Sequence, residues 1–173
     1  MDGQNIIVTG APGVGKTTVI KGVAELMKSS RPSGFYTEEI RDKGVRKGFE
    51  LVDMQGDRQV LSHVKLRVSD KVGKYGVDVA GFEAFLDKLN LSDQNAGPVL
   101  IDEIGKMECL SDKFKELVKD LLDSPRTVIA AVALHGAGFI ESVKRRDDIE
   151  LIEITPRNRD LIPARIVSLL KEE

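Results

Sequence analysis

Gly10-Ala11-Pro12-Gly13-Val14-Gly15-Lys16-Thr17 meets the pattern GxxxxGK[ST] at every position. These residue types at this spacing are suited to cradle the phosphates of a nucleotide. Glycines let consecutive backbone N–H groups turn inward around an anion with no side chain in the way. Lys16 brings a cation to the β and γ oxygens, the Thr17 hydroxyl is suited to hold Mg²⁺, and Thr18 completes the nucleotide-binding set. A second constellation, Val99-Leu100-Ile101-Asp102-Glu103, is an apolar run that ends in two adjacent carboxylates. Asp102 fits the Mg²⁺ shell beside Thr17, directly or through water. Glu103 is the candidate general base for a water aimed at the γ-phosphorus. Successive side chains on a strand point to opposite sides, so the two carboxylates are expected to do different work. Strand-end carboxylates are often only solvated turn residues, but a complete phosphate loop upstream favours the chemical reading.

These groups need a scaffold, and the chain supplies alternating strands and helices. Asn5–Thr9 reads as a short buried strand, and Val19, Ile20, Val23, Ala24 and Met27 recur at helical spacing after the loop. This order puts a helix N-terminus under the phosphates. Between Gly34 and about Val64, Asp42-Lys43-Gly44 and Gln55-Gly56-Asp57 are turn signals between short strands, which predicts two antiparallel hairpin connections extending one sheet edge. Phe82, Phe85, Leu86 and Leu89 predict a helix, and Pro98–Ile101 an apolar strand. Phe114, Leu117, Val118, Leu121 and Leu122 predict a further helix, capped by Ser111 and closed by Pro125. Thr127–Leu134 has no polar face, which suits a central parallel strand; Ile149–Ile154 suits a place nearer an edge. A last helix is expected from about Asp160 to Leu170, with Pro163 in its first turn. The fold class is therefore α/β with a mostly parallel sheet, in one domain over residues 1–173.

Composition narrows the function classes. A net charge of −2 gives no basic field for nucleic acid. No apolar run approaches the roughly 20 residues of a membrane helix, and the N-terminus lacks a signal-peptide pattern. Cys109 is the only cysteine, which excludes an internal disulfide, suits a reducing cytoplasm and reads best as a small core residue. One Cys and two distant His residues make no zinc site. A monomer is the default expectation.

Asp102-Glu103-Ile104-Gly105-Lys106-Met107-Glu108, with Gly34-Phe35-Tyr36-Thr37-Glu38-Glu39-Ile40-Arg41 and Val72-Gly73-Lys74-Tyr75-Gly76-Val77 before it, resembles the cancer-related, or thermophile-type, nucleoside-triphosphatase family. The likeness spans essentially the whole chain and ends in Thr155-Pro156-Arg157-Asn158-Arg159. It implies a three-layer P-loop NTPase sandwich of the additional-strand, RecA-like type, with Thr127–Leu134 as the strand between the phosphate-loop strand and the acidic strand. It also implies slow, Mg²⁺-dependent release of the γ-phosphate from ATP, GTP, CTP and UTP with little regard for the base.

The remaining candidates carry two readings each. Lys106 is either a neutraliser of charge on the phosphoryl group or a solvated turn lysine. Arg159 is a possible cis arginine finger or base contact, beside Arg157, at a helix start where the dipole disfavours cations. His135 ends the central strand, where a polar sensor of the γ-phosphate would stand. Arg145-Arg146 suits an exposed helix end, and His63 a hairpin strand. Of Glu38 and Glu39, strand alternation allows at most one to approach the site. Tyr36 and Tyr75 read as core or rim rather than as base-stacking groups. The expected activity is NTP hydrolysis, on the order of 10⁻³ to 10⁻² s⁻¹ without an assured arginine finger. A small-molecule or nucleotide kinase and a nucleotide-operated switch are the competing readings; the absence of an Asn-Lys-x-Asp motif argues against a guanine-specific switch.

Overall fold

The computed structural model describes residues 3–93 and 96–171, which build one nine-stranded sheet. In chain order the strands are β1 (Asn5–Gly10), β2 (Ser33–Asp42), β3 (Val45–Asp53), β4 (Arg58–His63), β5 (Lys71–Val72), β6 (Tyr75–Val77), β7 (Val99–Ile104), β8 (Val128–Ala133) and β9 (Ile149–Glu153). Their order across the sheet is β5-β6-β4-β3-β2-β7-β8-β1-β9. Pairs β2–β7, β7–β8, β8–β1 and β1–β9 are parallel, whereas β2–β3, β3–β4, β4–β6 and β6–β5 are antiparallel.

Alternation along the parallel strands sorts the core into two layers. Ile7 faces one side with Val128, Ala130 and Val132; Ile6 and Val8 face the other with Ile129 and Ala131. The helices α1 (Lys16–Leu26) and α5 (Ile162–Leu169) cover the second side. The first side is covered by α2 (Val79–Leu89), α3 (Asp112–Leu122) and α4 (Phe139–Lys144). Phe35, Phe82, Phe85 and Phe114 meet there, with edge-on contacts of 6.0 Å and 6.1 Å from Phe35 to Phe82 and Phe85. The result is the three-layer α/β sandwich of a P-loop NTPase.

The two expected hairpins are present. Lys43 and Gly44 both take positive φ between β2 and β3, as a two-residue turn matching strand twist requires. Between β3 and β4 the Asp53 carboxylate accepts from the N–H groups of Gln55 and Asp57, at 2.8 Å and 2.9 Å. Ser111 caps α3 by accepting from the Phe114 N–H at 3.0 Å, and Pro163 sits in the first turn of α5. The strand β8 lies between β7 and β1, as the resemblance implied, and β9 forms the edge.

Three features depart from the sequence expectation. The ribbon β5–β6 was not foreseen, because two- and three-residue strands carry no readable periodicity. The strand β2 is more than hairpin edge: Ser33–Phe35 also pair in parallel with Val99–Ile101, joining the extension to the parallel sheet. Cys109 is half-buried against the core rather than enclosed, and its thiol is pushed up to about 12, chiefly by burial.

Candidate active site

At the carboxyl end of β1 the chain enters the glycine loop, and Gly13 and Gly15 take φ of 76° and 115°. Gly15 is the residue before α1, so Lys16 and Thr17 open the helix and its unpaired N–H groups face the loop. Lys16 is buried; its Nζ donates to the Gly10 carbonyl at 2.8 Å and stands 3.7 Å from Glu103 Oε2. The Thr17 hydroxyl donates to Asp102 Oδ2 at 2.7 Å. Thus the ends of β1 and β7 meet through two direct contacts.

Asp102 is 1% exposed and also accepts from the N–H and hydroxyl of Thr37, both at 3.2 Å. Burial raises its pKa against the opposing pull of those hydrogen bonds and of Lys16. Burial also raises Glu103, with Lys16 opposing and Asp102 reinforcing. Both carboxylates reach the loop, so the opposite-side expectation from strict alternation fails here. The cause lies in β7: its register against β8 shifts between Ile101 and Ile104, and Val99, Ile101 and Ile104 all join the same core layer.

A cavity of about 630 Å³ opens over this junction. Pro12, Gly13, Gly15, Lys16, Thr17, Thr18 and Glu103 form its floor side, with Thr37, Lys106 and His135 around them. Lys106 and His135, proposed from their positions after β7 and β8, are therefore at the cavity, both exposed. Glu38 and Glu39 both line it, which corrects the expectation that only one could. They lie just before a bulge at Ile40/Arg41 that breaks regular alternation. Glu38 pairs with Lys21 at 2.7 Å and Arg58 at 3.0 Å; Glu39 pairs with Arg41 at 2.5 Å and Arg46 at 2.8 Å. These partners hold both carboxyls below their usual range, through the Lys21 hydrogen bond for Glu38 and the Arg46 hydrogen bond for Glu39.

Arg159 lines a different cleft, of about 420 Å³, with Gly15, Thr18, Val19, Gly22, Asp160 and Pro163. Its guanidinium donates to the Val14 carbonyl at 3.2 Å. It is tied to the outside of the loop in this conformation and does not line the larger cavity. Arg157 is exposed and lines neither cleft. Arg146 is held by Asp123 and Asp148, His63 accepts from the Lys65 N–H, and Tyr75 is buried against Phe49, so the bland readings fit all three. Tyr36 lies under the Lys21 ammonium, 4.2 Å from its ring centroid.

A model of the family described as NTPase matches residues 5–167. This chain belongs to the NTPase family. Among its relatives, a nucleoside-triphosphatase THEP1 from Thermotoga sp. (strain RQ2) is 39% identical over 97% of this chain and 96% of its own length. The human cancer-related nucleoside-triphosphatase is 37% identical over 97% of each. The crystal structure of THEP1 from Aquifex aeolicus superposes with a TM-score of 0.87 at 36% identity, covering 98% of this chain and 100% of that one. The NTPase-family fold thus extends over nearly all of both chains.

Sequence reasoning missed Thr37, Phe49, Arg46, Val72 and Met107 as cavity residues, and above all Glu108. Glu108 is 5% exposed, and burial with Glu103 nearby pushes its carboxyl up to about 8. The available signal was Gly105. A Cβ there would stand 2.8 Å from Glu103 Oε1 and 2.9 Å from Glu108 Oε2, so only glycine lets both carboxyls close over the turn.

Proposed function

We propose that this chain hydrolyses nucleoside triphosphates to the diphosphate and phosphate, as the names of its relatives describe for them. The observation that carries the reading is the convergence of Lys16, Thr17, Asp102 and Glu103 on one cavity at the ends of β1 and β7. Asp102 with Thr17 would hold Mg²⁺, for which the donor set fits. Two oxygen groups are already in contact at 2.7 Å, and the described residues form no cage of three or more His, Cys, Asp or Glu. A magnesium site that leaves several positions to phosphates and water has that character. When bound, the ion would neutralise phosphate charge.

The chain's own residues supply the rest. The loop N–H groups and Lys16 bind and orient the β and γ phosphates. Glu103 accepts a proton from water as its oxygen attacks the γ-phosphorus and the bond to the β-phosphate oxygen breaks. Lys16, 3.7 Å away, favours the ionised form of the base against the cost of burial. Arg46 is the arginine among the cavity-lining residues, and Glu39 and the Tyr75 hydroxyl already engage it. Turnover is therefore slow, on the order of 10⁻³ to 10⁻² s⁻¹. Base tolerance is broad because the loop contacts phosphates; the cleft at Thr18, Gly22 and Arg159 is the candidate seat for the base.

One observation favours a second reading. The cavity is larger than one water requires and has an apolar wall of Phe49, Val72, Met107 and Leu134, which would suit a phosphoacceptor. A phosphate-release panel with ATP, GTP, CTP and UTP, with and without Mg²⁺, in wild type and Glu103→Gln, tests hydrolysis. Release of phosphate with all four, dependent on Mg²⁺ and lost in Glu103→Gln, is expected. Diphosphate without free phosphate, appearing only with an added hydroxyl compound, would favour the kinase.

A further inference from the structure

The turn Thr155-Pro156-Arg157-Asn158-Arg159 has no part in the phosphate chemistry above, yet it is built onto the phosphate loop. The end of β9 runs beside the end of β1, where the Ile154 N–H donates to the Thr9 carbonyl at 2.7 Å. Asn158 then folds the turn: its amide donates to the Glu153 carbonyl at 2.9 Å, and its oxygen accepts from the Thr155 N–H at 2.8 Å. This fold brings Arg159 over Gly15. A Cβ on Gly15 would stand 3.3 Å from Arg159 Cδ, so the glycine leaves the path of the arginine stem open. At the end of that stem Nη1 donates to the Val14 carbonyl at 3.2 Å, and the side chain as a whole is 46% exposed. Hydrogen bonds to a guanidinium lie in its plane, so anchoring one edge leaves the flat faces open to stacking.

We infer that Arg159 lays its guanidinium against the face of the nucleobase and makes the outer cleft a platform that accepts any of the four bases. This role rests on the nucleoside-triphosphate reading above and names the group that holds the far end of the same substrate. The cleft of about 420 Å³ and the cavity of about 630 Å³ share Gly15 and Thr18. A triphosphate whose γ end meets Lys16 and Glu103 in the cavity therefore has a continuous way out for its nucleoside, past Thr18 into the cleft. A Cβ on Gly22 would stand 3.0 Å from Pro163 Cγ, so α1 and α5 close against each other there and give the cleft an apolar end. Its polar side chains are Thr18, Arg159 and Asp160, all exposed. Reading the edge of a base takes fixed, desolvated donors and acceptors that punish a mismatch, and these three are not of that kind. A flat cation needs no such match, because every base presents a π-face on which it can stack. Arg159 does not line the cavity that holds Glu103, so in this conformation its charge is placed for the nucleoside end and not for the transferred phosphoryl group.

The test compares wild type, Arg159→Ala and Arg159→Lys by equilibrium binding of the β,γ-methylene analogues of ATP, GTP, CTP and UTP and of inorganic tripolyphosphate, alongside kcat and KM for Mg²⁺-ATP. Arg159 belongs to neither core layer, so both variants are expected to fold, which thermal unfolding checks. Arg159→Ala should weaken all four nucleotides by roughly tenfold, the size of one stacking contact, and the two purines at least as much as the pyrimidines. Tripolyphosphate has no base, and its affinity should stay within about twofold. KM should rise by roughly the same tenfold with kcat within about twofold, the mark of a contact made equally before and during reaction. Arg159→Lys keeps the charge without the plane and should recover less than about threefold of the loss. Unchanged nucleotide affinity in Arg159→Ala would overturn the assignment, as would full recovery in Arg159→Lys or a loss confined to one base. An equal loss for tripolyphosphate would overturn it in favour of a contact to phosphate or a brace for the loop. A kcat lower by about 10³-fold at unchanged KM would overturn it in favour of an arginine finger. The binding comparison needs no turnover, so absence of phosphate release from wild type would count against the hydrolase reading alone.

Discussion

Acidic residues on two sides of one cavity behave in opposite ways. On the parallel-strand side, Asp102 and Glu108 are buried and Glu103 is half-buried, and desolvation raises all three. On the side of the antiparallel extension, Glu38 and Glu39 are paired with Lys21, Arg58, Arg41 and Arg46 at the cavity mouth, and their carboxyls are lowered. The first set has hydrogen-bond donors and one ammonium, with nothing to neutralise every charge; the second has a cation for each carboxylate. Desolvated, under-compensated carboxylates are where proton transfer and metal binding occur, whereas fully paired ones shape a surface. Position on the sheet explains the difference. The β7 carboxylates close a strand covered by helices on both faces, while β2 leaves the covered sheet before it reaches Glu38.

The largest break in this comparison should come from Glu103→Gln. Removing a general base costs about 10²–10⁴ in rate, and nucleotide affinity should stay within a few-fold, because the phosphate contacts are unaltered. Next comes Thr17→Ala, which removes the hydroxyl that donates to Asp102 at 2.7 Å. It should raise the Mg²⁺ concentration needed for half-maximal activity by about tenfold, read from a magnesium titration.

Stability should show the two signs directly. Between the ordinary 4.5 and about 8, folded Glu108 keeps a proton that the unfolded chain has released. Stability therefore falls as pH rises through that window, by up to about 1.4 kcal/mol per pH unit, and the decline stops above about 8. Glu108→Gln should flatten the slope in denaturant unfolding at pH 5, 6.5 and 8. For Glu39 the sign reverses: its contribution is present above the ordinary carboxylate range and is lost as pH falls through the lowered value. The smallest effect belongs here. Glu39→Gln should cost about 0–1 kcal/mol and lose even that in high salt, since the pair is exposed. A larger loss there than at Glu108 would break the distinction between the two sides.

Much of this was readable from the sequence because local physics decided it. Thr127–Leu134 has no polar face to turn toward water, so it had to be central, and the glycine loop dictates its own cradle. The two hairpins announced themselves through Lys43-Gly44 and Gln55-Gly56-Asp57. What escaped depends on distant contacts. Thr37 reaches Asp102 only because β2 pairs with β7, a pairing set by Ser33–Phe35 and without a local signature. Glu108 entered the sequence reading only as the end of the Asp102–Glu108 stretch; its burial follows from the turn folding it back over Gly105. The register shift in β7 was hidden for the same reason, since alternation is a rule for regular strands. Arg159 was read as a possible arginine finger or base contact; the contact it makes, to the Val14 carbonyl, belongs to the outer cleft.

The central claim is that Glu103 is the base that turns a phosphate cradle into a hydrolase. Single-turnover phosphate release from Mg²⁺-ATP, measured together with ATP binding in wild type and Glu103→Gln, addresses it most directly. The account predicts that the variant binds ATP as wild type does and releases phosphate at least about 10²-fold more slowly. Equal single-turnover rates in the two proteins would contradict it.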